Sequence, residues 1–123
     1  MGSVLVNRTT GEVLAGQVRL CDTFGRRLRG LMFRRALDAD EVYLFRWGRP
    51  SRAEATIHSL FVFFSFSVLW LDAENKLVDS RLVRPFALVV APRRAASCFI
   101  EGDPELLDKV RLGDQIVDER ADG

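Results

Sequence analysis

Several residue types are scarce in this chain of 123 residues. It holds two cysteines, one histidine and two lysines, and the cysteines are not spaced as C-x-x-C. One histidine and two distant cysteines do not complete the ligand set of a closed zinc site, and two cysteines do not make a disulfide-dense secreted scaffold. The sequence therefore predicts no metal site and reduced, buried thiols at Cys21 and Cys98, with a bridge between them as the alternative.

Net charge is also nearly absent. Eighteen basic residues stand against 17 acidic ones, which leaves a formal charge of +1. No overall field therefore draws the protein to nucleic acid or to an anionic membrane surface. The amino terminus has no basic segment followed by a long apolar stretch, so we expect no secretory leader and a cytoplasmic location, unless a leader has been removed.

Long apolar runs are limited to one segment. Residues 55–71 contain no Asp, Glu, Lys or Arg, but they include His58 and several serines. The run is shorter than the about 20 residues that a membrane-spanning helix needs, and its aromatic residues favour strands. We expect no membrane span, but two buried strands joined at a bend. Alternation places Phe64, Phe66, Val68 and Trp70 on a dry face and Ser65 and Ser67 on the other.

The residues that are abundant predict one β-rich domain over residues 1–123. Hydrophobic residues make up 48% of the chain, which is enough for one core. Turn residues separate six to eight short apolar strands, among them 4–6, 12–14, 42–47, 76–83, 97–101 and 115–118. Two helices are expected, one after the N-cap Asp22 and a short one after Asp103 and Pro104. So many strands without crossover helices favour an α+β, mostly β fold: a curled antiparallel sheet or a small β-barrel with two short covering helices.

Short motifs in chain order carry a family resemblance. They are Arg29-Gly30-Leu31-Met32-Phe33-Arg34, Ile57-His58, Val68 to Asp72, Ala91 to Arg94, Glu101-Gly102 and Gly113-Asp114. Together they resemble the family called domain of unknown function 192 over nearly the whole chain. The resemblance implies a β-rich fold with small helices and implies no activity.

The chain departs from that family's pattern at one place. Relatives usually show a proline and, two residues later, an aspartate where this chain has Ser65 and Ser67. If that aspartate binds or catalyses in relatives, its loss alters the function here. If it only caps a bend, the Ser67 hydroxyl takes the same role.

Arginine dominates the basic residues, supplying 16 of the 18. Five of them lie in the acid-free stretch 23–37, and three more surround Trp47. Guanidinium groups bind carboxylates and phosphates through paired hydrogen bonds, and they stack on nucleobases. The alternative is a solvated helix face with ion pairs to Asp38, Asp40 and Glu41.

His58 is the remaining residue of chemical interest. Its side chain is suited to carry a proton near neutral pH, or it is a hydrogen-bonded residue at a strand end. Ser59 would point to the opposite face of a strand, so these two residues do not form a nucleophile and its base. No glycine-rich phosphate loop is present.

These observations favour a binding or accessory module for a small anionic ligand or a protein partner. No catalytic residue, cofactor or metal is predicted. The candidate binding residues are His58, Arg29, Arg34, Ser67 and Arg93. One alternative is an enzyme of unknown reaction that uses His58 with a carboxylate from Asp72 or Asp114. Another is single-stranded nucleic-acid binding through the arginines, which the near-zero net charge disfavours.

Overall fold

Strands dominate the computed structural model, which describes residues 3–20, 40–51, 64–86 and 90–120. These ranges contain eight strands: β1 (Ser3–Asn7), β2 (Glu12–Ala15), β3 (Gln17–Leu20), β4 (Glu41–Ser51), β5 (Phe66–Leu71), β6 (Leu77–Val83), β7 (Ala96–Gly102) and β8 (Ile116–Arg120). One 3₁₀ helix spans Pro104–Lys109. The α+β, mostly β class is therefore confirmed. No helix in these ranges is long and apolar enough to cross a membrane.

The strands form two sheets. The order is β2-β1-β8 in the first and β3-β4-β7-β5-β6 in the second, and neither closes into a barrel within the described ranges. Of the two predicted architectures, the barrel is thus not the one formed there. Among the eight described strands, every pair is antiparallel except β3 with β4. A parallel pair needs a crossover of a dozen or more residues, and residues 21–40 supply that length.

The first hairpin forms as predicted, and its turn is tied to distant parts of the chain. Asn7 is fully buried, and its side-chain oxygen accepts the N–H groups of Thr9 and Thr10 at 3.1 and 3.4 Å. Its amide donates to the Lys109 carbonyl at 3.1 Å and to Asp114 Oδ2 at 2.8 Å. Because every polar atom of this buried side chain is paired, the hairpin is fixed against the end of the 3₁₀ helix.

Two clusters of buried side chains cover the two faces of the five-stranded sheet. One face shares a cluster with the three-stranded sheet and the 3₁₀ helix, through residues such as Leu69, Ile100 and Leu106. The other, which we call the aromatic face, carries Tyr43, Phe45, Phe66, Val68, Trp70, Val83, Ala96 and Phe99. Phe45 and Phe99 stack there, with ring centroids 4.7 Å apart.

For strand β5, the sequence pattern predicts the alternation of side chains correctly but not their burial. The alternation is correct, since Phe66, Val68 and Trp70 all lie on the aromatic face. The expected wetter side is wrong, because all six residues are buried and Ser67 is fully so. The reason is the sheet order: β5 lies between β6 and β7 and has a buried cluster on each face.

The predicted cap of the short helix is confirmed. Asp103 accepts the N–H of Glu105 at 2.8 Å, and Pro104 begins the helix, which is 3₁₀ rather than α. Cys98 is a free, buried thiol. The helix predicted after Asp22, the strand predicted at the start of 55–71, and Cys21 fall outside the described residues.

Candidate functional site

Three of the five predicted binding residues, His58, Arg29 and Arg34, lie outside the described residues, as does the arginine-rich stretch 23–37. Their roles stay predictions. Arg93 is described and its side chain is exposed. The Arg93 backbone N–H donates to Asp79 Oδ2 at 2.9 Å, while Asp79 Oδ1 accepts the N–H of Ser80 at 2.9 Å. Asp79 on β6 therefore holds the backbone at position 93 beside that strand.

Ser67 lies on the face of β5 opposite the aromatic face. Its Oγ is 2.7 Å from the Asp103 carbonyl and 3.1 Å from the Gly102 carbonyl. The single hydroxyl proton is donated to this pair of oxygens, which ties β5 to the corner between β7 and the 3₁₀ helix. This geometry supports the interpretation of position 67 as a residue that caps a bend.

The two carboxylates proposed to assist His58 already have partners. Asp72 Oδ1 accepts the N–H groups of Glu74 and Lys76, both at 2.9 Å. Asp114 is buried, and its Oδ2 accepts from Asn7 Nδ2 and from the Arg111 N–H at 3.0 Å. Both groups thus act as caps of turns. A pairing of either one with His58 stays a prediction.

Glu101 is the residue of interest that sequence analysis missed. It lies on β7, the central strand, directly opposite Tyr43 of β4 and Val68 of β5. Directly paired residues point to the same side of a sheet, so the Glu101 side chain lies on the aromatic face. The available signal was its spacing two residues from Phe99, which places a carboxyl group where strand alternation calls for an apolar residue.

Glu101 is a buried residue whose carboxyl group has no partner among the described residues. Only 7% of the residue is exposed, and it makes no hydrogen bond or ion pair with the described residues. Burial disfavours the charged form and raises the pKa of Glu101 to about 8. At neutral pH the group is therefore mostly protonated, and it can donate a hydrogen bond.

A row of side chains crosses the whole five-stranded sheet at Glu101. Its members, in spatial order, are Arg19, Tyr43, Glu101, Val68 and Arg81. Arg19 forms an ion pair with the buried Glu41, in which Arg19 Nε lies 2.8 Å from Glu41 Oε2. Arg81 is exposed, and it makes no ion pair within the part of the chain that the structure describes.

Glu101 and Arg81 thus lie on one face with Val68 between them. Two interstrand spacings separate their Cα atoms by about 10 Å. Neither side chain has a hydrogen-bond or ion-pair partner in the described ranges. We call Glu101, Val68 and Arg81 the Glu101–Arg81 site.

Metal and thiol chemistry find no support in the described part of the chain. It contains no group of three or more His, Cys, Asp or Glu side chains placed to hold a metal ion. Burial raises the pKa of the Cys98 thiol to about 11, so the group is an uncharged thiol rather than a nucleophilic thiolate.

Residues 5–117 match the domain of unknown function 192, described as an uncharacterised ACR. The chain belongs to the domain of unknown function 192 family. A UPF0127 protein of Thermococcus kodakarensis is 34% identical over 115 residues, which are 92% of this chain and 71% of that protein. A UPF0127 protein of Pyrococcus abyssi is 33% identical over 115 residues, covering 92% of this chain and 95% of its own length.

Two solved structures share the fold of this family member. One is a putative transcription regulator from Sinorhizobium meliloti 1021, with a TM-score of 0.79 and 19% identity, over 94% of this chain and 91% of that one. The other is a protein of unknown function from Novosphingobium aromaticivorans DSM 12444, with a TM-score of 0.77 and 19% identity, over 94% and 83%. At this identity the likeness concerns the fold alone.

Proposed function

We propose that this protein is a binding domain for a small anionic ligand, which it takes at the Glu101–Arg81 site. The observation that carries the proposal is Glu101 itself, a residue that is only 7% exposed and whose carboxyl group has no partner among the described residues. A buried polar group without a hydrogen bond costs about 1–3 kcal/mol. A ligand that accepts a hydrogen bond from Glu101 removes that cost.

Charge favours an anion over a cation at this site. Arg81 is the charged side chain of the row that has no partner in the described ranges, and it repels cations. The neighbouring acids already have partners. Glu41 forms an ion pair with Arg19, Asp79 accepts two backbone N–H groups, and Asp103 accepts the N–H of Glu105. A protonated Glu101 adds a donor without adding negative charge, so an anion meets the Arg81 guanidinium and one hydroxyl donor.

Arg93 is the predicted binding residue that fits this proposal. Asp79, which holds the Arg93 backbone, lies two residues before Arg81 on the same face of β6. The exposed Arg93 side chain therefore starts near the Arg81 end of the site and supplies a second guanidinium for the same anion. We propose that His58, Arg29 and Arg34 contribute from the residues that the structure does not describe.

Thermal unfolding in the presence of simple anions tests the proposed function. The panel holds acetate, benzoate, succinate and phosphate as sodium salts, with sodium chloride at equal ionic strength as the reference. An anion at 100 times its Kd adds about 2.7 kcal/mol of stability, which raises Tm by several degrees. We expect at least one anion to do so.

Two arginine variants decide whether the effect belongs to this site. Arg81→Gln should remove most of the shift. Arg111→Gln is the matched control, because Arg111 is also exposed but follows the 3₁₀ helix, away from the row. The proposal fails if no anion raises Tm above the chloride reference, or if both variants lose the shift equally.

A further inference from the structure

We infer that the protein also binds single-stranded nucleic acid, along a surface beside β6 that we call the arginine surface. Its residues are Arg81, Arg84, Phe86, Arg93 and Arg94, and all five are exposed. These arginines are separate from those of the stretch 23–37. The inference goes beyond the proposed function, because Glu101 takes no part in it and no small anion is required.

The arginine surface concentrates positive charge in a chain that has almost no net charge. Residues 80–100 contain four arginines and no Asp or Glu, so this segment carries +4 whereas the whole chain carries +1. The acids that flank the segment are buried, Asp79 at 6% exposure and Glu101 at 7%. The near-zero net charge therefore does not describe this surface, which attracts polyanions through its local field.

Three of the four arginines keep their guanidinium groups available. Arg81, Arg93 and Arg94 make no ion pair and no side-chain hydrogen bond with the described residues. A guanidinium binds a phosphate through two N–H groups of its planar fork. Because no ion pair with a described residue has to break first, each of these arginines can contact a phosphate directly.

Strand β6 sets the spacing of the arginines. Asp79 accepts the Arg93 N–H at 2.9 Å, which fixes Arg93 beside position 79 of the strand. Arg81 lies two residues farther along and Arg84 three residues beyond Arg81, which correspond to about 7 and 10 Å of extended chain. The basic residues therefore follow a line about 17 Å long. The backbone of a single strand, with one phosphate per nucleotide, can run along such a line.

Phe86 adds an aromatic ring at the Arg84 end of this line. The residue is 54% exposed, and its φ is 62°. A bulky residue rarely adopts a positive φ, and residues strained in this way cluster at binding sites. Every nucleobase has a flat face that stacks on an exposed aromatic ring. Arginines along the backbone and a ring for a base are the two elements of sequence-independent binding to single strands.

The placement of the apolar side chains favours a nucleic acid over an anionic membrane. Binding to a membrane surface needs several apolar side chains that enter the lipid together, beside basic ones. Leu82 is the other exposed large apolar residue of this segment among the described residues, and it pairs with Ser67. Its neighbour Arg81 lies on the opposite face of β6. The leucine and the arginine of this strand therefore do not face one lipid surface together.

Fluorescence anisotropy of a labelled oligothymidylate, titrated with the full chain at low ionic strength, tests the inference. We expect binding that weakens with salt. The logarithm of the association constant should fall against the logarithm of the NaCl concentration with a slope of about −2 to −3, since each of three or four contacted phosphates contributes about −0.7. Phosphatidylserine vesicles and polyglutamate, added at equal charge, should compete much less well than unlabelled oligothymidylate.

Variants at exposed positions separate the phosphate contacts from the stacking contact. Arg94→Gln should weaken binding and make the salt slope shallower by about 0.7. Phe86→Leu keeps an apolar side chain but loses the ring, so it should weaken binding about fivefold or more with the slope unchanged. Phe86→Tyr keeps the ring and should bind like wild type.

Arg46→Gln is the matched control, because Arg46 is exposed on β4 and pairs with Cys98 on the other face of the five-stranded sheet. It should bind like wild type. The inference is overturned by undetectable binding at low salt, by vesicles or polyglutamate competing as well as the oligonucleotide, by equal binding of Phe86→Leu and Phe86→Tyr, or by a loss in Arg46→Gln that matches the loss in Arg94→Gln. Each of these results leaves the proposed function standing, because that function is measured by the Arg81-dependent effect of small anions on Tm.

Discussion

Two buried serines on neighbouring strands show how much depends on a single hydroxyl group. The hydroxyl of Ser67 on β5 reaches the carbonyls of Gly102 and Asp103. The hydroxyl of Ser97 on β7 is also buried, at 7% exposure of the residue, but it has no hydrogen-bond partner among the described residues. The two residues have the same size and chemistry and differ in whether the polar atom is satisfied.

Replacing each serine with alanine should therefore give opposite results. Ser67→Ala leaves the Gly102 and Asp103 carbonyls without this donor, so we expect the free energy of unfolding to fall by about 1–2 kcal/mol. Ser97→Ala removes a buried hydroxyl that gains nothing from folding, and it should leave stability unchanged or raise it. Urea unfolding of both variants measures the difference. Equal losses at the two positions would contradict the assigned role of Ser67.

At the scale of the residue, the sequence names candidate residues but not the partners of those residues. The family resemblance points to Ser67 and Arg93. Ser67 bonds to the carbonyls of Gly102 and Asp103, and the Arg93 N–H bonds to Asp79. These partners are distant in the sequence, and strand pairing brings them together. In the sequence, Glu101 is only the last residue of the predicted strand 97–101 and part of the Glu101-Gly102 motif. Its burial results from the sheet order, which local patterns do not contain.

At the scale of the element, the corner between β7 and the 3₁₀ helix requires a residue without a side chain at position 102. A Cβ at Gly102 would lie 2.4 Å from Leu106 Cδ1 of the 3₁₀ helix and 2.9 Å from Val42 Cγ1 of β4. The helix can pack this closely against β7 and β4 because position 102 has only a hydrogen there. Both neighbours are buried, so neither can move aside into solvent.

Gly102→Ala should consequently destabilise the protein by about 1–3 kcal/mol, the usual cost of an added methyl group in a filled core. Leu106→Ala alone should cost about 2–5 kcal/mol, because it leaves a cavity. In the double variant the new methyl group occupies part of that cavity, so the combined loss should be smaller than the sum of the two. Chemical unfolding of the four proteins gives the coupling, and simple additivity would show that the two positions do not meet.

Individual elements followed the sequence closely, and their assembly did not. The first hairpin, β6, β7 and the capped 3₁₀ helix carry local signals: turn residues, alternation and a proline after an aspartate. No local sequence signal predicts the parallel pairing of β3 with β4 or the burial of both faces of β5. These features are set by which strands become neighbours, and that choice is made by the core as a whole.

At the scale of the whole molecule, β7 joins the two clusters of buried side chains. Cys98 points into the cluster shared with the three-stranded sheet, and Glu101 belongs to the aromatic face on the other side. Each is an acidic group that burial holds in its neutral form: the pKa of Glu101 rises from 4.5 to about 8, and that of Cys98 from 9.0 to about 11. The same physical cause thus acts on both faces of the central strand.

The stability of the folded protein should therefore decline as the pH rises. Glu101 keeps its proton in the folded state up to about pH 8 and loses it in the unfolded chain above about pH 4.5. The stability linked to this proton is complete below pH 4.5 and is lost progressively up to pH 8, at roughly 1 kcal/mol per pH unit. Cys98 continues the decline with the same sign between pH 9 and pH 11.

Glu101→Gln should remove the first part of this decline, because an amide does not titrate. Urea unfolding between pH 5 and pH 9 should show wild type and variant converging near pH 5, with the variant gaining steadily up to about pH 8 and the difference then constant. Glu12→Gln, at an exposed position of β2, is the matched control and should follow wild type throughout. Parallel curves for wild type and Glu101→Gln would mean that the Glu101 carboxyl is already ionised in the folded protein, and a proton at this position could then play no part in binding.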